Sequence, residues 1–169
     1  MTKNDAIRAI IAECREQGVT TPEQIAYVLA TADHETGGTM EPVYEAHYLR
    51  TPLRYLRGLR YYPFYGRGHV QLTWEVNYRK YEKILGLPLV AQPDLVKRFD
   101  VSVFILVHGM RTGTFTGRKL SDYIRPGKID FPGARRIVNG TDKAAKIARQ
   151  AEGYLTRLRA GVYESARAA

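Results

Sequence analysis

The sequence predicts a mostly α-helical chain with one irregular insertion. Apolar residues recur at three- and four-residue spacing in several stretches, each opened by a capping residue and closed by glycine or proline. Between residues 39 and 73 that periodicity stops, and Pro42, Pro52, Pro63, Gly58, Gly66 and Gly68 punctuate the chain. The 169 residues hold no internal repeat, low-complexity segment or linker, which predicts one domain over residues 1–169. A hydrophobic content of 44% is enough for a sizeable core.

Asn4 is placed to cap a first helix, in which Ile7, Ile10, Ile11 and Cys14 share a face and Gly18 marks the end. Thr21-Pro22-Glu23-Gln24 is a strong helix start: a threonine cap, proline at the first position, and glutamine three residues after the cap. The helix it opens carries Ile25, Val28, Leu29 and Ala32 on one face, and Gly37-Gly38 closes it. The irregular stretch from 39 to 73 has room for a short hairpin. Within it Arg50, Arg54, Arg57 and Arg60 recur at the spacing of a short basic helical turn, among Tyr44, Tyr48, Tyr55, Tyr61, Tyr62 and Tyr65. So long a non-helical run in a small domain points to a functional loop region.

Thr73 is expected to cap the next helix, with Trp74, Tyr78, Tyr81 and Leu85 on one face and Gly86 and Pro88 as its stop. Asp100 is expected to cap an apolar helix through Val101, Phe104, Ile105 and His108. Its few charges place it at the centre of the core, with Gly109 and Gly113 loosening its end. Leu120 to Ile124 fits a short helix, Pro132 starts a turn through Ile137, and Asn139-Gly140 is a turn. Asp142 opens the last helix, with Ile147, Ala151, Tyr154, Leu155 and Leu158 inward. The tail after Val162 is expected to fray.

The net charge of +9 and pI near 9.7 favour polyanionic surroundings: nucleic acid, anionic lipid or an anionic cell wall. The single Cys14 excludes an intramolecular disulfide, and its apolar helix face reads as core rather than nucleophile. His34, His47, His69 and His108 show no metal-ligand spacing, so no metal or other cofactor is expected. Gly66-Arg67-Gly68 is not a phosphate loop, since no Lys-Ser/Thr follows. The first apolar turn, Ala6 to Ile11, is short and interleaved with charge, so no signal peptide is expected. No run reaches the roughly 18 apolar residues of a membrane span.

On a helical wheel of about 100° per residue, Glu35 falls at the edge of the apolar face and His34 points away from it. Partial desolvation at such an edge raises a carboxyl group's pKa. A second carboxylate, Glu45, follows on the irregular segment. Two carboxyls in different environments are what glycoside hydrolysis needs, one acid and one base. Taken alone, the pair also describes a helix-end surface residue and a solvated loop residue.

Three motifs change that balance. Tyr61-Tyr62-Pro63-Phe64-Tyr65-Gly66-Arg67-Gly68-His69-Val70-Gln71-Leu72-Thr73-Trp74-Glu75-Val76-Asn77-Tyr78 resembles the central motif of family 19 glycoside hydrolases, the chitinase-like enzymes. His34-Glu35-Thr36-Gly37-Gly38 resembles that family's catalytic-acid motif, and Arg135-Arg136-Ile137-Val138-Asn139-Gly140 its third motif. The three stand in the family's order. Within the family the chain most resembles short phage endolysins, which lack the disulfides of plant chitinases and cleave peptidoglycan. Plant enzymes place the second glutamate further along than Glu45. The endolysins place it close behind the first, in a segment that Glu45-Ala46-His47-Tyr48 resembles, and Glu41 is a rival for the role. The third motif has one glycine after Asn139 where the family often has two.

The resemblance implies a lysozyme-like, two-lobed fold with a central cleft, the helix ending at Glu35 forming one wall and residues 39 to 78 the other. It implies Glu35 as general acid and Glu45 as general base of an inverting reaction, with carboxyls about 6.5–9.5 Å apart. Thr73 matches a hydroxyl that helps hold the water, while also reading as a helix cap. Gln71 and Asn77 match substrate-binding amides, able to answer both the carbonyl and the N–H of an N-acetyl group; for Asn77 a solvent-facing helix position is the alternative. Tyr65 and Tyr78 would stack on or hydrogen-bond a pyranose, although core packing is the ordinary role of most tyrosines. Arg67 and Arg136 look like ion-pair partners that orient the glutamates. A cation would oppose a raised pKa at Glu35, so Arg136 is expected nearer the base. His34 would support the acid, or sit exposed at the helix end. Asn139 resembles a sugar contact and Gly140 plain turn chemistry.

The implied function is that of a lysozyme-type endolysin hydrolysing β-1,4 bonds of peptidoglycan glycan strands in the anionic bacterial envelope, as a monomer. It would be made in the host bacterial cytoplasm and act on the wall in the periplasm after release. A chitinase acting on β-1,4-linked N-acetylglucosamine polymers is the alternative with the same site. A basic nucleic-acid-binding module is the alternative from another class. It is weakened by basic residues spread along the chain without a binding motif, and no specific nucleic acid is expected as partner.

Overall fold

The computed structural model describes residues 1–164. In chain order the elements are α1 (Lys3–Glu16), α2 (Pro22–Glu35), β1 (Val43–Tyr44), α3 (Pro52–Arg57), β2 (Arg67–Gly68) and α4 (Glu75–Leu85). A 3-10 turn (Pro93–Lys97) leads into α5 (Phe99–Thr112), α6 (Leu120–Tyr123), β3 (Ile124–Arg125), β4 (Lys128–Ile129) and α7 (Phe131–Ala134). A second 3-10 turn (Arg135–Ile137) and α8 (Ala144–Arg159) complete the chain. The mostly helical class expected from the sequence holds. No helix among the described residues is long and apolar enough to cross a membrane. The chain falls into two compact units, one made of residues 1–40 and those from 106 onward, the other of residues 41–105.

The first unit is built on α2. Ile25 through Ala32 are all buried, more than the single face that the periodicity predicts. Ala26 and Ala30 are small enough for neighbours to close on them, and a helix apolar all round belongs inside. Helix α8 covers it with Ile147, Ala148, Ala151 and Tyr154, and α1 with Ile7, Ile10 and Ile11. Cys14 is core, and burial pushes its thiol up to about 12. Thr21 caps α2 as expected, accepting from Gln24 N at 3.4 Å. The glutamine side chain does not close the box; it donates to the Ile124 carbonyl at 2.8 Å.

Other helix starts differ from expectation. Thr2, not Asn4, caps α1, because Thr2 and Asp5 satisfy each other's backbone N–H groups. Helix α5 starts at Phe99, so Asp100 lies inside its first turn and pairs with Arg98 instead of capping. Helix α8 starts at Ala144, behind Lys143 in a left-handed conformation, rather than at Asp142. The sequence reading also missed the β3–β4 hairpin, whose two-residue strands flank Pro126-Gly127. Tyr163, placed in the tail expected to fray, is buried beside Tyr154 at 6.4 Å between ring centroids. Residues 165–169 of that tail lie outside the described residues.

The second unit holds the irregular stretch. A short hairpin does form: β1 pairs with β2 antiparallel, Val43 opposite Gly68 and Tyr44 opposite Arg67. The basic helical turn is α3, which buries Leu56 in a small cluster with Ala46 and Tyr65. Tyr78 and Tyr81 are fully buried, as their spacing in α4 requires, and Gly86 ends that helix in a left-handed conformation. Trp74 does not join them; it is 44% exposed. Its φ of 73° turns it off the helix at the N-cap position. Thr73 therefore is not the cap, and its hydroxyl donates to the Gln71 carbonyl at 2.8 Å.

Candidate active site

Glu35 is the last residue of α2. The helix stops there because Gly37 and Gly38 take φ of 62° and 90°, and Gly38 N–H donates back to the Asp33 carbonyl at 2.7 Å. Thr36 tightens the turn, donating to Ala32 O at 2.7 Å and accepting from Met40 N at 2.9 Å. The Glu35 side chain, 18% exposed, accepts from Arg135 Nη1 at 2.7 Å, and that arginine side chain is 4% exposed. Arg135 Nε also donates to the Asp142 carbonyl at 3.0 Å, which fixes the guanidinium.

This corrects the sequence reading twice. A cation stands at Glu35, where none was expected, and it is Arg135 rather than Arg136. Asp130 caps α7 through Gly133 N, and the 3-10 turn that follows buries Arg135 and Ile137 while leaving Arg136 exposed. No single helical phase runs through these residues, because α7 gives way to the 3-10 turn at Arg135, so the sequence pattern alone does not choose between the two arginines. His34 is half-buried, not exposed, and its Nδ1 is buried without a hydrogen-bond partner. Burial pushes its pKa below the usual histidine range. Asn139 lies exposed in its turn, its Oδ1 accepting from Gly140 N at 2.8 Å.

Glu45 belongs to the other unit and has different partners. Tyr61 donates its hydroxyl to one carboxylate oxygen at 2.6 Å, and Gly66 N–H donates to the other at 2.8 Å. The β1–β2 pairing aligns these groups, continued by Glu45 N donating to Gly66 O at 2.7 Å. Hydrogen bonding to the carboxylate pushes the Tyr61 hydroxyl up to about 12, so it remains a donor through the neutral range. Nothing in the spacing marked Tyr61, although it opens the motif. Glu41 and Glu45 are both half-buried, but these two donors go to Glu45.

The motif's glycines are explained by close approach. A side chain on Gly66 would meet Gln71 Oε1 at 2.7 Å, and one on Gly68, at φ of 88°, would meet Ser102 Oγ at 2.7 Å. The same Ser102 hydroxyl lies 2.7 Å from His69 Nδ1 and accepts from His69 N at 2.8 Å. Gln71 donates its amide to the carbonyls of Val43 and Gly68 at 3.1 and 3.2 Å, tying the hairpin together. Asn77 donates to Thr73 O at 2.7 Å from a half-buried position.

Arg67 does not orient a glutamate. It is buried, pairs with Asp94 at 2.8 Å, and lies 3.7 Å above the Tyr65 ring. Its Nη1 donates to Pro63 O, Tyr65 O and the Tyr78 hydroxyl. Tyr78 in turn donates to Tyr65 O at 2.8 Å, and burial pushes its hydroxyl up to about 12. A fully buried Tyr78 has no face to offer a sugar, so its expected substrate role gives way to core packing. Tyr65 is buried as well, between Tyr44 and Tyr62. Among the described residues no cluster of His, Cys, Asp and Glu side chains is placed to hold a metal ion.

Comparisons with known proteins agree with the motifs. The chain is 34% identical over 109 residues to an endochitinase of Arabidopsis thaliana (At2g43610), covering 61% of this chain and 37% of that protein. It is 36% identical over 88 residues to a second Arabidopsis thaliana endochitinase (At2g43620), covering 48% and 29%. The chain thus spans well under half the length of these curated relatives. No family model matches. Among solved structures, chitinase C from Streptomyces griseus HUT6037 shares the fold with a TM-score of 0.51 and 20% identity, covering 79% of this chain and 60% of that one. In sequence and in fold, the chain is a relative of the family 19 glycoside hydrolases, the chitinase-like enzymes.

Proposed function

We propose that the chain is a glycoside hydrolase cleaving β-1,4 bonds in polymers of N-acetylglucosamine, chitin first among them. The polymer is taken from the relatives, which are named endochitinases, and from the fold shared with chitinase C. The observation that carries the reading is the grip of the Tyr-Gly-Arg-Gly turn on Glu45. The motif that marks the family resemblance supplies the Gly66 N–H held by that carboxylate. An ionised carboxylate offers roughly four lone-pair sites, and each Glu45 oxygen has one protein donor, so each retains room for a water.

In this reading Glu35 gives its proton to the glycosidic oxygen as the C1–O bond breaks. Glu45 takes a proton from a water whose oxygen bonds to C1 from the opposite face, and the anomeric configuration inverts. Thr73 has given its hydroxyl hydrogen to Gln71, and its oxygen keeps lone pairs that accept from that water. Asn77 and Asn139 are proposed contacts to the sugar. The chain is proposed to act as a single catalytic domain and as a monomer.

Glu35→Gln should abolish turnover of chitin oligomers with the circular dichroism spectrum unchanged. Glu45→Gln should cost at least about a hundredfold, in line with general-base catalysis, and Glu41→Gln little. Retained activity in Glu35→Gln removes it as the acid, and reversed effects at Glu41 and Glu45 make Glu41 the base. Proton NMR of the first products from the native protein should show the α anomer; a β anomer or an anhydro sugar overturns the inverting assignment.

A second reading takes bacterial peptidoglycan as the polymer, as in a phage endolysin. The net charge of +9 favours it, because an anionic wall attracts such a protein and neutral chitin does not. On that reading the protein is made in the bacterial cytoplasm and reaches the wall after release. Rates on chitin oligomers and on purified sacculi decide between the two, and mass spectrometry of the digest identifies the sugar at the new reducing end.

A further inference from the structure

The segment between Glu45 and Glu75 contains no Asp or Glu, yet it carries Arg50, Arg54, Arg57, Arg60 and Arg67. Arg67 is buried and committed to Asp94. The other four are exposed, and among the described residues none of them forms a salt bridge. Large apolar side chains stand between them. Helix α3 turns only Leu56 inward and leaves Leu53 57% and Tyr55 49% exposed, while Tyr48 just before it is 80% exposed and Leu49 is 38% exposed. Single exposed apolar residues are ordinary, but four beside four unpaired arginines form a patch that calls for a partner.

We propose that the surface from Tyr48 to Arg60 docks the protein on an anionic lipid bilayer. The proposal rests on this patch and not on the glycosidase reading. Charge complementarity requires an anionic partner, and arginine forks match phosphate oxygens in pairs. The leucines select lipid over an anionic polysaccharide. Sugar rings stack on aromatic faces and offer nothing to Leu49 and Leu53, whereas the boundary between headgroups and acyl chains accepts leucine, tyrosine and arginine together. Each arginine held near an anionic leaflet strengthens partitioning about fivefold, so the four together are worth on the order of several hundred-fold. The patch also has a built-in reporter. Arg60 lies 5.9 Å from the ring of Trp74, the only tryptophan in the chain.

The test is flotation of the full chain with vesicles containing phosphatidylglycerol and with vesicles of phosphatidylcholine alone, followed by Trp74 emission. Binding to the anionic vesicles only, weakening with salt and accompanied by a change in Trp74 emission, is the expected result. The combined variant Arg50→Gln, Arg54→Gln, Arg57→Gln and Arg60→Gln should bind on the order of several hundred-fold more weakly, with its circular dichroism unchanged. The separate pair Leu49→Ser and Leu53→Ser should lose about tenfold or more. Equal binding to neutral vesicles, or full binding by the arginine variant, overturns the proposal. So does tight binding to soluble polygalacturonate combined with vesicle binding that ignores the leucine changes, which would make the patch a site for polyanionic sugar.

Discussion

Taking the Glu35–Arg135 pair apart one partner at a time tests how the candidate acid is seated. Arg135→Ala removes a guanidinium whose side chain is 4% exposed and leaves Glu35 Oε1 without the donor that stood at 2.7 Å. It also releases the Asp142 carbonyl, previously bonded at 3.0 Å. A hydrogen bond to a charged group contributes about 1.5–3 kcal/mol net. Stranding one member of a fully buried pair costs about 3–5 kcal/mol. Glu35 keeps 18% of its side chain in solvent, so water relieves part of that cost. Arg135→Ala should lose about 3 kcal/mol. Glu35→Ala strands the guanidinium but spares its bond to Asp142, and should lose about 2 kcal/mol. The double variant strands no charge, and the bond to Asp142 and the lost packing cancel around the cycle. Its loss should fall short of the sum by about 1.5–2.5 kcal/mol. Urea unfolding of the four proteins, followed by circular dichroism with slopes compared, measures this coupling. A coupling below about 0.5 kcal/mol would refute the reasoning, because residues acting independently add to within that figure.

Three further outcomes are expected. Gly109→Ala should destabilise by about 1–3 kcal/mol despite alanine's better helix propensity, since its methyl would collide with the Phe115 ring; a raised melting temperature would contradict this. Tyr61→Phe keeps the ring against Trp74 at 4.9 Å but deletes the hydroxyl donor to Glu45. The value of kcat/KM on chitin oligomers should fall about tenfold with a stability loss of about 1–2 kcal/mol, since both groups are only partly buried and water replaces some of the lost donor, and an undiminished value removes Tyr61 from the site. Burial depresses His34, with Arg135 and Lys146 acting in the same direction and Glu35 and Asp142 against it. The unfolded chain takes up this proton near pH 6.5 and the folded chain only lower, so the stability His34 contributes is present above about 6.5 and is lost as pH falls below it. Melting temperatures from neutral to mildly acidic pH should drop less steeply in His34→Asn, and parallel curves would exclude the effect.

Local signals proved the most legible. The Thr21 cap, Pro22 and the Gly37-Gly38 stop place α2 and put Glu35 at its end, because each acts within a few residues of itself. The start of α1 slipped by two residues because both Thr2 and Asn4 are good caps, and only the reciprocal bonds with Asp5 choose between them. Trp74 escaped because a tryptophan at φ of 73° answers to its surroundings, not to propensity. In α4 the helical spacing was the better guide: it turned Tyr78 inward, where Arg67 and the Tyr65 carbonyl bond it, while the family resemblance had set it against a sugar. The arginine at Glu35 could not be assigned from the adjacent Arg135-Arg136 alone. The choice follows from the sharp passage out of α7 into a 3-10 turn, which one residue's change of phase would reverse.

The unit that seats Glu35 is assembled from two segments separated by residues 41–105, which matters for synthesis on the ribosome. Glu35 and Arg135 are 100 positions apart, Asp33 and Gln150 117, and Glu23 and Arg159 136. At about 5–20 residues per second, Glu35 waits on the order of 5–20 s for its arginine. Residues 41–105, by contrast, are contiguous and can close on themselves as they emerge. Throughout the delay α2, whose residues Ile25 through Ala32 are all buried in the finished fold, has neither α7 nor α8 to cover it, so the nascent chain exposes this apolar stretch until its C-terminal partners emerge. A nonsense codon within α8 would therefore leave the whole helix bearing Glu35 intact in sequence and yet without its α8 cover, a substrate for chaperones rather than part of a closed core.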